Sequence, residues 1–235
     1  MLTTRLTPRL STLLPRRPSP SSSLRFSSSI PSRIYPDLYY HPLDSSEPQP
    51  TSYSLSYLPT PPPSLTFSPT TIGLVRPLPA SPPSSNSSSS SAGDEPGKAQ
   101  EDPRLPPITP RTFQENSDFL KLVHTALREA VEGDLWLQTQ AKSMEGADTY
   151  IHIPDHRCPA SHPRLPAPQD ILSSLLVQSG QLVPSSYEAN SVAYRLVSED
   201  GLMRLPEGLH AKVVEACRRV REVEVEVAGG QGGQE

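Results

Sequence analysis

Cysteine is scarce in this sequence, which contains only Cys158 and Cys217. Two widely separated cysteines form neither the disulfide framework of a small secreted domain nor a closely spaced zinc-binding pair. A long apolar run is also missing, and the longest strongly apolar stretch lies near residues 171–177. Because a membrane-spanning helix needs about 18 or more such residues, the sequence predicts no membrane span and a mature protein that is soluble or peripherally attached.

Carboxylates are absent from the N-terminal region, and Asp37 is the first acidic residue. Residues 1–33 instead contain six arginines and 13 serines or threonines. Five leucines of this region fall on one side of a helical wheel: Leu2, Leu6, Leu10, Leu13 and Leu14. An Arg-rich, hydroxyl-rich and acid-poor start is typical of an organellar transit peptide. We therefore predict that residues 1–33 are a mitochondrial transit peptide and that the mature protein resides in the matrix.

The same region contains a candidate processing site. Residues 24–28 (LRFSS) resemble a matrix-peptidase site with an arginine two residues before the cut, which predicts cleavage after Phe26. A plastid transit peptide has an overlapping composition, and a merely disordered basic tail would also be rich in arginine and serine. Mitochondrion, plastid and basic tail are the three interpretations, and the composition favours the first.

Positive charge is in deficit beyond this region. The formal net charge of the chain is −4, and loss of the first 26 residues, with five arginines and no acid, would change it to −9. Residues 113–222 carry 11 Lys or Arg against 15 Asp or Glu. A domain with this charge lacks the basic footprint that phosphate binding usually requires, so we expect no nucleic-acid partner.

Proline and serine divide the chain into two parts. Of the 30 prolines, 23 lie in residues 1–110, which also hold serine runs such as 87–91. Proline lacks a backbone donor, and serine-rich segments have little apolar surface to offset chain entropy. We therefore predict a disordered linker at residues 34–112, a small folded domain at 113–222 and a flexible tail at 223–235. This interpretation would fail first in the tyrosine-rich stretch 35–57, which could contribute strands.

Apolar periodicity within residues 113–222 predicts two helices at the start and one at the end. The first helix begins at residues 116–118 with Ser117 as its cap, and Asp134 starts the second. The final helix begins at Pro206, a favourable first helical residue, and ends near Arg221. These terminal helices are expected to cover whatever lies between them.

The segment between the helices has the composition of short strands. Residues 149–153 and 192–197 are strand-like, and the second range has the strongest strand pattern in the chain. Ser179-Gly180 and Asp200-Gly201 are tight-turn or hairpin dipeptides. The order of elements predicts an α+β fold, in which a small, mainly antiparallel sheet is flanked by N- and C-terminal helices and preceded by a long disordered region.

Ligand-type side chains crowd together in residues 152–162. His152, His156, Cys158 and His162 could in principle complete a tetrahedral zinc site. Their spacing, H-x3-H-x-C-x3-H, matches no metal-binding motif whose geometry has a structural explanation, and prolines stiffen the loop. A structural surface loop is the competing interpretation, and the sequence assigns no metal ligand, no catalytic residue and no cofactor site.

Other candidate groups are weaker. Cys158 and a histidine could form a nucleophile pair, but the sequence supplies neither an oxyanion hole nor an orienting third residue. Asp155, Asp170 and Asp200 lie in turn segments, where aspartate usually caps the backbone. Trp136, the only tryptophan, is expected to anchor a core or an interface rather than a cofactor. Signature loops for phosphates, dinucleotides or acyl transfer do not occur in the sequence.

Four segments carry a resemblance to a known family: residues 150–157 (YIHIPDHR), 164–174 (RLPAPQDILSS), 180–187 (GQLVPSSY) and 194–202 (YRLVSEDGL). Over roughly residues 134–222 the chain resembles an uncharacterised family of fungal mitochondrial proteins. The resemblance implies a mitochondrial location. It implies no activity, because the shared segments are turns and strands without a catalytic signature and the family has no assigned function.

These observations favour a non-enzymatic mitochondrial protein that acts through a protein partner, in an accessory or assembly role. The alternative is a small metal-binding or enzymatic module that uses the loop from His152 to His162. The identity of the partner and the oligomeric state stay open at this point.

Overall fold

The computed structural model describes residues 29–43, 52–64, 68–76, 102–144, 146, 148–157 and 167–230. These residues form two antiparallel sheets, a short hairpin and three α-helices. The predicted α+β class with mainly antiparallel strands is confirmed. Most of the predicted transit peptide lies outside the described residues, as do the serine run 87–91 and the candidate ligands Cys158 and His162.

The first sheet is an antiparallel meander of five short strands. In chain order they are β1 (Ile30–Pro31), β2 (Tyr39–Pro42), β3 (Tyr53–Ser56), β4 (Gly73–Val75) and β5 (Phe113–Glu115). Tyr40 of β2 lies opposite Leu55 of β3. Gly73 lets β4 approach β5, since a Cβ at this position would collide with the ring of Phe113. Strands this short depend on pairing and on burial against other elements.

Two helices follow this sheet, α1 (Ser117–Ala130) and α2 (Leu135–Ser143). Asp134 caps α2 as predicted, because its carboxylate accepts a hydrogen bond from the first turn. The predicted cap of α1 is wrong by one residue, since the side chain of Asn116, and not that of Ser117, accepts a hydrogen bond from the backbone N–H of Asp118. The Asn116 amide also donates to the carbonyls of Ser68 and Thr71, which holds it at the cap position.

The second sheet has the strand order β6 (Thr149–Pro154), β7 (Ile171–Gln178) and β8 (Gln181–Ala189). A short 3-10 turn, Pro168–Asp170, precedes β7. The strand predicted at residues 149–153 and the turn predicted at Ser179-Gly180 are confirmed. Ser179 and Gly180 have φ of 50° and 76°, the left-handed geometry that a two-residue hairpin connection requires.

A short hairpin follows, formed by β9 (Val197–Ser198) and β10 (Gly201–Leu202). It confirms the hairpin predicted at Asp200-Gly201, although its two turn residues are Glu199 and Asp200. The strand predicted over residues 192–197 is wrong, because residues 191–193 form a turn. Val192 is exposed, whereas Tyr194 is drawn into the core by its hydrogen bond to the Asp155 carboxylate. The apolar residues here mark a segment that passes into the core without pairing with another strand.

The final helix, α3 (Glu207–Gly230), buries Leu209, Val213 and Cys217. It does not end near Arg221, and the flexible tail predicted at residues 223–235 is therefore wrong as far as residue 230. Two hydrogen bonds hold the helix beyond the predicted end: Arg221 donates to the Thr70 hydroxyl, and that hydroxyl donates to the Glu224 carboxylate. In the part of the chain that is described, no helix is long and apolar enough to cross a membrane.

One hydrophobic core joins both sheets and all three helices. It includes Leu55 of β3 together with Phe119 of α1, Ile153 of β6 and Leu209 of α3. Tyr57, just after β3, lies 5.9 Å from the Phe119 ring between centroids.

The expectation of a disordered linker at residues 34–112 is wrong wherever that range is described. Its tyrosines and leucines supply the missing apolar surface, including Tyr40, Leu55 and Tyr57, all buried. Many of its hydroxyls are also buried and bonded, as in Ser56, which bonds the ring of His41 at 2.9 Å. The serine-rich composition was therefore a poor guide to order, because serine in a sheet can be satisfied by neighbouring strands.

Candidate functional site

A groove of about 970 Å³ lies between the end of α1, the start of α2 and the first turns of α3. Its lining includes Ala130, Trp136, His156, Glu207, Lys212 and Arg219. The groove is open to solvent and mixes apolar, aromatic and charged side chains. Such a site suits a peptide segment or a side chain cluster better than a small apolar ligand, which usually lies in an enclosed cavity.

The shape of the groove follows from the turn between α1 and α2. Asp134 caps α2 through one carboxylate oxygen, and its other oxygen faces the first turn of α3. A Cβ at Gly208 would lie 3.1 Å from that oxygen, so glycine allows the two helix starts to approach closely. Two helix N-termini thus meet at one wall of the groove.

Trp136 and His156 form the aromatic part of the groove. Their rings meet edge to face, with centroids 6.3 Å apart. The His156 backbone N–H donates to the Arg204 carbonyl at 2.7 Å, which holds this residue beside the start of α3. Leu135, in the same lining, is 77% exposed. An exposed leucine next to a half-buried tryptophan is a feature that the fold itself does not require.

The charges of the groove are unbalanced. Lys212 pairs with Glu215 at 3.1 Å, and Arg219 pairs with Glu129 at 3.6 Å. Both pairs are exposed, so each contributes little to stability. Glu207 and Asp134 add two further carboxylates to the lining. The groove therefore carries an acidic surplus near its aromatic end.

Beneath the groove lies a buried polar cluster centred on Asp155, the neighbour of His156. The Asp155 carboxylate accepts hydrogen bonds from the Tyr194 hydroxyl at 2.7 Å and from the backbone N–H groups of Arg157 and Arg204 at 2.9 and 2.8 Å. Burial raises the pKa of this carboxyl above its ordinary value, although the Arg157 guanidinium and these hydrogen bonds oppose the shift. Burial and the adjacent carboxylate also raise the pKa of Tyr194, which keeps its phenol a donor.

Arg157 completes the cluster. Its guanidinium lies 3.4 Å from Asp155 and 3.2 Å from Asp170, and it donates to the carbonyls of Gln169 and Arg195. It also lies over the Tyr194 ring, 5.4 Å from the centroid. One fully buried side chain therefore ties together the end of β6, the turn before β7 and the segment before β9. This rigid base fixes where His156 enters the groove.

The candidate metal ligands are not brought together where they can be followed. His152 hydrogen bonds Ser174 across the sheet at 2.8 Å, whereas His156 lies against Trp136 in the groove. Cys158 and His162 lie outside the described residues. Among the residues that are described, no group of three or more His, Cys, Asp or Glu side chains could hold a metal ion.

The three aspartates noted in the sequence lie in different environments in the structure. Asp155 and Asp170 converge on Arg157, which no spacing rule in the sequence indicated. Asp200 lies in the β9–β10 turn, as a backbone-turn residue would. Trp136, predicted to anchor a core or an interface, lies half-buried in the groove wall.

Comparison with known proteins adds no relative. No family model, no curated protein and no solved structure matches this chain.

Proposed function

We propose that this is a mitochondrial protein that acts by binding a protein partner, in an accessory or assembly role, and not by catalysing a reaction. The observation that carries the proposal is the groove between the three helices. It presents Leu135 and Trp136 beside surplus carboxylates. Aromatic side chains flanked by charge are typical of protein interfaces, where they contribute much of the binding energy.

The chemistry of the groove indicates what kind of segment it binds. An apolar side chain of the partner would cover Leu135 and pack on Trp136, and a lysine or arginine beside it would approach Glu207 and Asp134. A cation over the Trp136 ring would gain a further attraction. We therefore expect an exposed segment with an apolar residue next to a basic one.

Affinity purification of the tagged full-length chain from isolated mitochondria tests this proposal. The variant Leu135→Asp removes the exposed apolar contact without disturbing the core, and Val192→Asp is its matched control, since Val192 is 84% exposed and lies away from the groove. We expect one partner set to be recovered with the wild type and the control and to be lost with Leu135→Asp. Binding of the purified partner should also change the emission of Trp136, the only tryptophan. Identical recoveries from all three proteins would contradict the groove as the binding site.

The mitochondrial location rests on the N-terminal composition and on the resemblance to fungal mitochondrial proteins. Deletion of residues 1–26 tests it while leaving β1 in place. We expect the deleted chain to stay outside isolated mitochondria in an import assay, and the imported full-length chain to begin near Ser27. Equal import of both chains would contradict the assignment of residues 1–26 as the targeting segment. Failure of the full-length chain to be imported would contradict the proposed location.

A further inference from the structure

The residues that follow the predicted processing site are built into the first sheet. The Ser29 hydroxyl hydrogen bonds the His41 ring at 2.8 Å, and Ile30 pairs with β2. His41 is buried, and Ile30 packs against the hydrophobic core. Only two serines separate the predicted cleavage point from Ser29. We call residues 29–37 the anchored segment.

The second half of the anchored segment contacts the C-terminal part of the domain. The Tyr35 hydroxyl accepts a hydrogen bond from the backbone N–H of Leu202 at 3.2 Å, and the Arg204 guanidinium lies over the Tyr35 ring, 5.2 Å from its centroid. Asp37 lies 3.3 Å from the His210 ring nitrogen in α3. The anchored segment therefore reaches its final contacts only when residues 167 and 173 positions later are in place.

The predicted cleavage point lies close to the sheet. Two residues of fully extended chain span at most about 7 Å. A peptidase binds its substrate as an extended segment in a cleft, and residues on both sides of the scissile bond contact the enzyme. Within about 7 Å the body of the enzyme would meet the first sheet, unless β1 leaves it. Opening of β1 breaks the bond between Ser29 and His41 and exposes Ile30 to water.

We propose that residues 1–26 are removed before the domain folds, and that the folded first sheet then shields the processing site. The proposal rests on the mitochondrial location proposed above. Hydrolysis of the bond after Phe26 consumes one water molecule and leaves a carboxylate on Phe26 and an ammonium group on Ser27. The peptidase can bind this bond while the chain is unfolded. After folding, cleavage is limited by the population of molecules in which β1 has opened.

The order of segments in the chain favours this sequence of events. A leader at the N-terminus enters the organelle first. The predicted cleavage point therefore reaches the matrix before Leu202, Arg204 and His210, which complete the contacts of the anchored segment. A full-length chain that folds before cleavage should keep its leader.

The same contacts set a limit for further trimming of the mature N-terminus. Loss of Ser29 would leave the buried Nδ1 atom of His41 without its hydrogen-bond partner, which costs stability. We therefore expect the mature chain to begin no later than Ser29.

Digestion of the purified full-length chain by a matrix processing peptidase tests the proposal. One sample is folded, and the other is diluted from urea immediately before the assay. We expect the initial rate of cleavage after Phe26, measured by intact mass, to be at least about tenfold higher in the diluted sample.

Two variants locate the source of the shielding. Insertion of about ten Gly/Ser residues between Ser28 and Ser29 adds roughly 17 Å of flexible chain. The folded insertion variant should be cleaved within about twofold of the rate for its diluted sample, because the enzyme no longer meets the sheet. The variant Ser29→Ala/Ile30→Ser weakens β1 and should raise the rate for the folded sample several-fold, with the diluted sample unchanged.

Three results would overturn the proposal. Equal rates for the folded and diluted wild type would show that the fold does not shield the bond. Full protection of the insertion variant would show that the shielding does not come from the nearby sheet. Absence of cleavage after Phe26 in the diluted sample would contradict the processing site itself. This last result is distinguishable from failure of the proposed location, because import of the full-length chain is measured separately.

Discussion

Arg157 and Arg221 are both buried arginines that join segments distant in the chain, but their charges are compensated differently. Arg157 has a fully buried side chain and two carboxylates, Asp155 and Asp170, the first of them also fully buried. Arg221 is 7% exposed and has one carboxylate, Glu224, which is 17% exposed. Its other partners are the Thr70 hydroxyl and the Thr60 carbonyl.

The difference separates two regions of the molecule. Arg157 holds together segments that all belong to the part of the chain predicted to fold. Arg221 instead attaches α3 to residues 60 and 70, which belong to the part predicted to be disordered. Removal of one partner from a fully buried ion pair costs much stability, whereas removal from a partly exposed pair costs less. The Arg157 cluster should therefore dominate stability, and Arg221 should govern attachment of the first sheet.

Removal of the first sheet should have the largest effect. A fragment of residues 111–224 lacks β1 to β4 and exposes the side of α1 and α3 that packs on Tyr57 and Leu55. We expect this fragment to show no cooperative unfolding by circular dichroism, while residues 27–235 unfold cooperatively. A sharp transition in the fragment would mean that the meander is only an appendage to an independent domain.

Arg157→Met should destabilise the protein by about 3–5 kcal/mol, because it leaves the buried Asp155 without its countercharge. Urea unfolding of the mature chain measures this loss. Arg195→Met is the control, since the Arg195 side chain bonds only exposed or partly buried backbone carbonyls in the described structure. The control should cost less than about 1 kcal/mol. Equal losses for the two variants would show that the cluster is not a centre of stability.

Arg221→Met should cost about 2–3 kcal/mol, less than Arg157→Met, because water can reach Glu224 once its partner is gone. The effect should also be local. Hydrogen exchange should accelerate in residues 68–76 more than in β6 to β8. Uniform acceleration across both sheets would contradict the division into two regions.

The pH dependence compares one histidine from each region. His41 of β2 and His124 of α1 are both buried, and their pKa values are lowered to about 4, mainly by burial and then by Arg221 and Arg128 respectively. Between pH 6.5 and pH 4 these imidazoles bind a proton in the unfolded chain but stay neutral in the folded protein. The free energy of unfolding should therefore fall as the pH is lowered from about 6.5 to 4 and level off below pH 4. At pH 5 each histidine should lower the free energy of unfolding by about 1–2 kcal/mol.

Urea unfolding as a function of pH checks this prediction. His41→Asn and His124→Asn should each flatten the profile between pH 6.5 and 4, and the imidazole proton resonances of the wild type should titrate near pH 4. If either ring titrates near pH 6.5 in the folded protein, that histidine does not contribute to the predicted loss of stability. The Nε2 atom of His124 has no hydrogen-bond partner in the described structure, so protonation there would place an unpaired charge in the core.

Much of the second region was predictable from the sequence. The apolar face of α1, the Asp134 cap and the turns at Ser179-Gly180 and Asp200-Gly201 depend on residues within a few positions of one another. The candidate site was predictable only in its parts. Trp136 and His156 both drew notice in the sequence, but nothing local indicated that their rings would meet in one groove.

The errors share a different cause. Residues 39–56 lacked a strand signal strong enough to outweigh their serines and prolines, because each strand is four residues long and is stabilised by its neighbours. The pattern at residues 192–197 predicted a strand, but the Asp155 carboxylate binds Tyr194 and the Glu115 carboxylate binds the backbone N–H of Leu196. Distant partners outweighed local propensity in both cases.

The sequence by itself determined the α+β class, the starts of the helices within a residue, their buried faces and two hairpin turns, because caps, periodicity and turn residues act over a few positions. Only the tertiary structure decided that β2, β3 and β4 contribute to the core, that Arg157 lies between two aspartates and that α3 continues beyond Arg221. Those features depend on contacts between segments up to 161 positions apart, as between Arg221 and Thr60. Local composition does not encode which distant groups will satisfy a buried hydroxyl or charge.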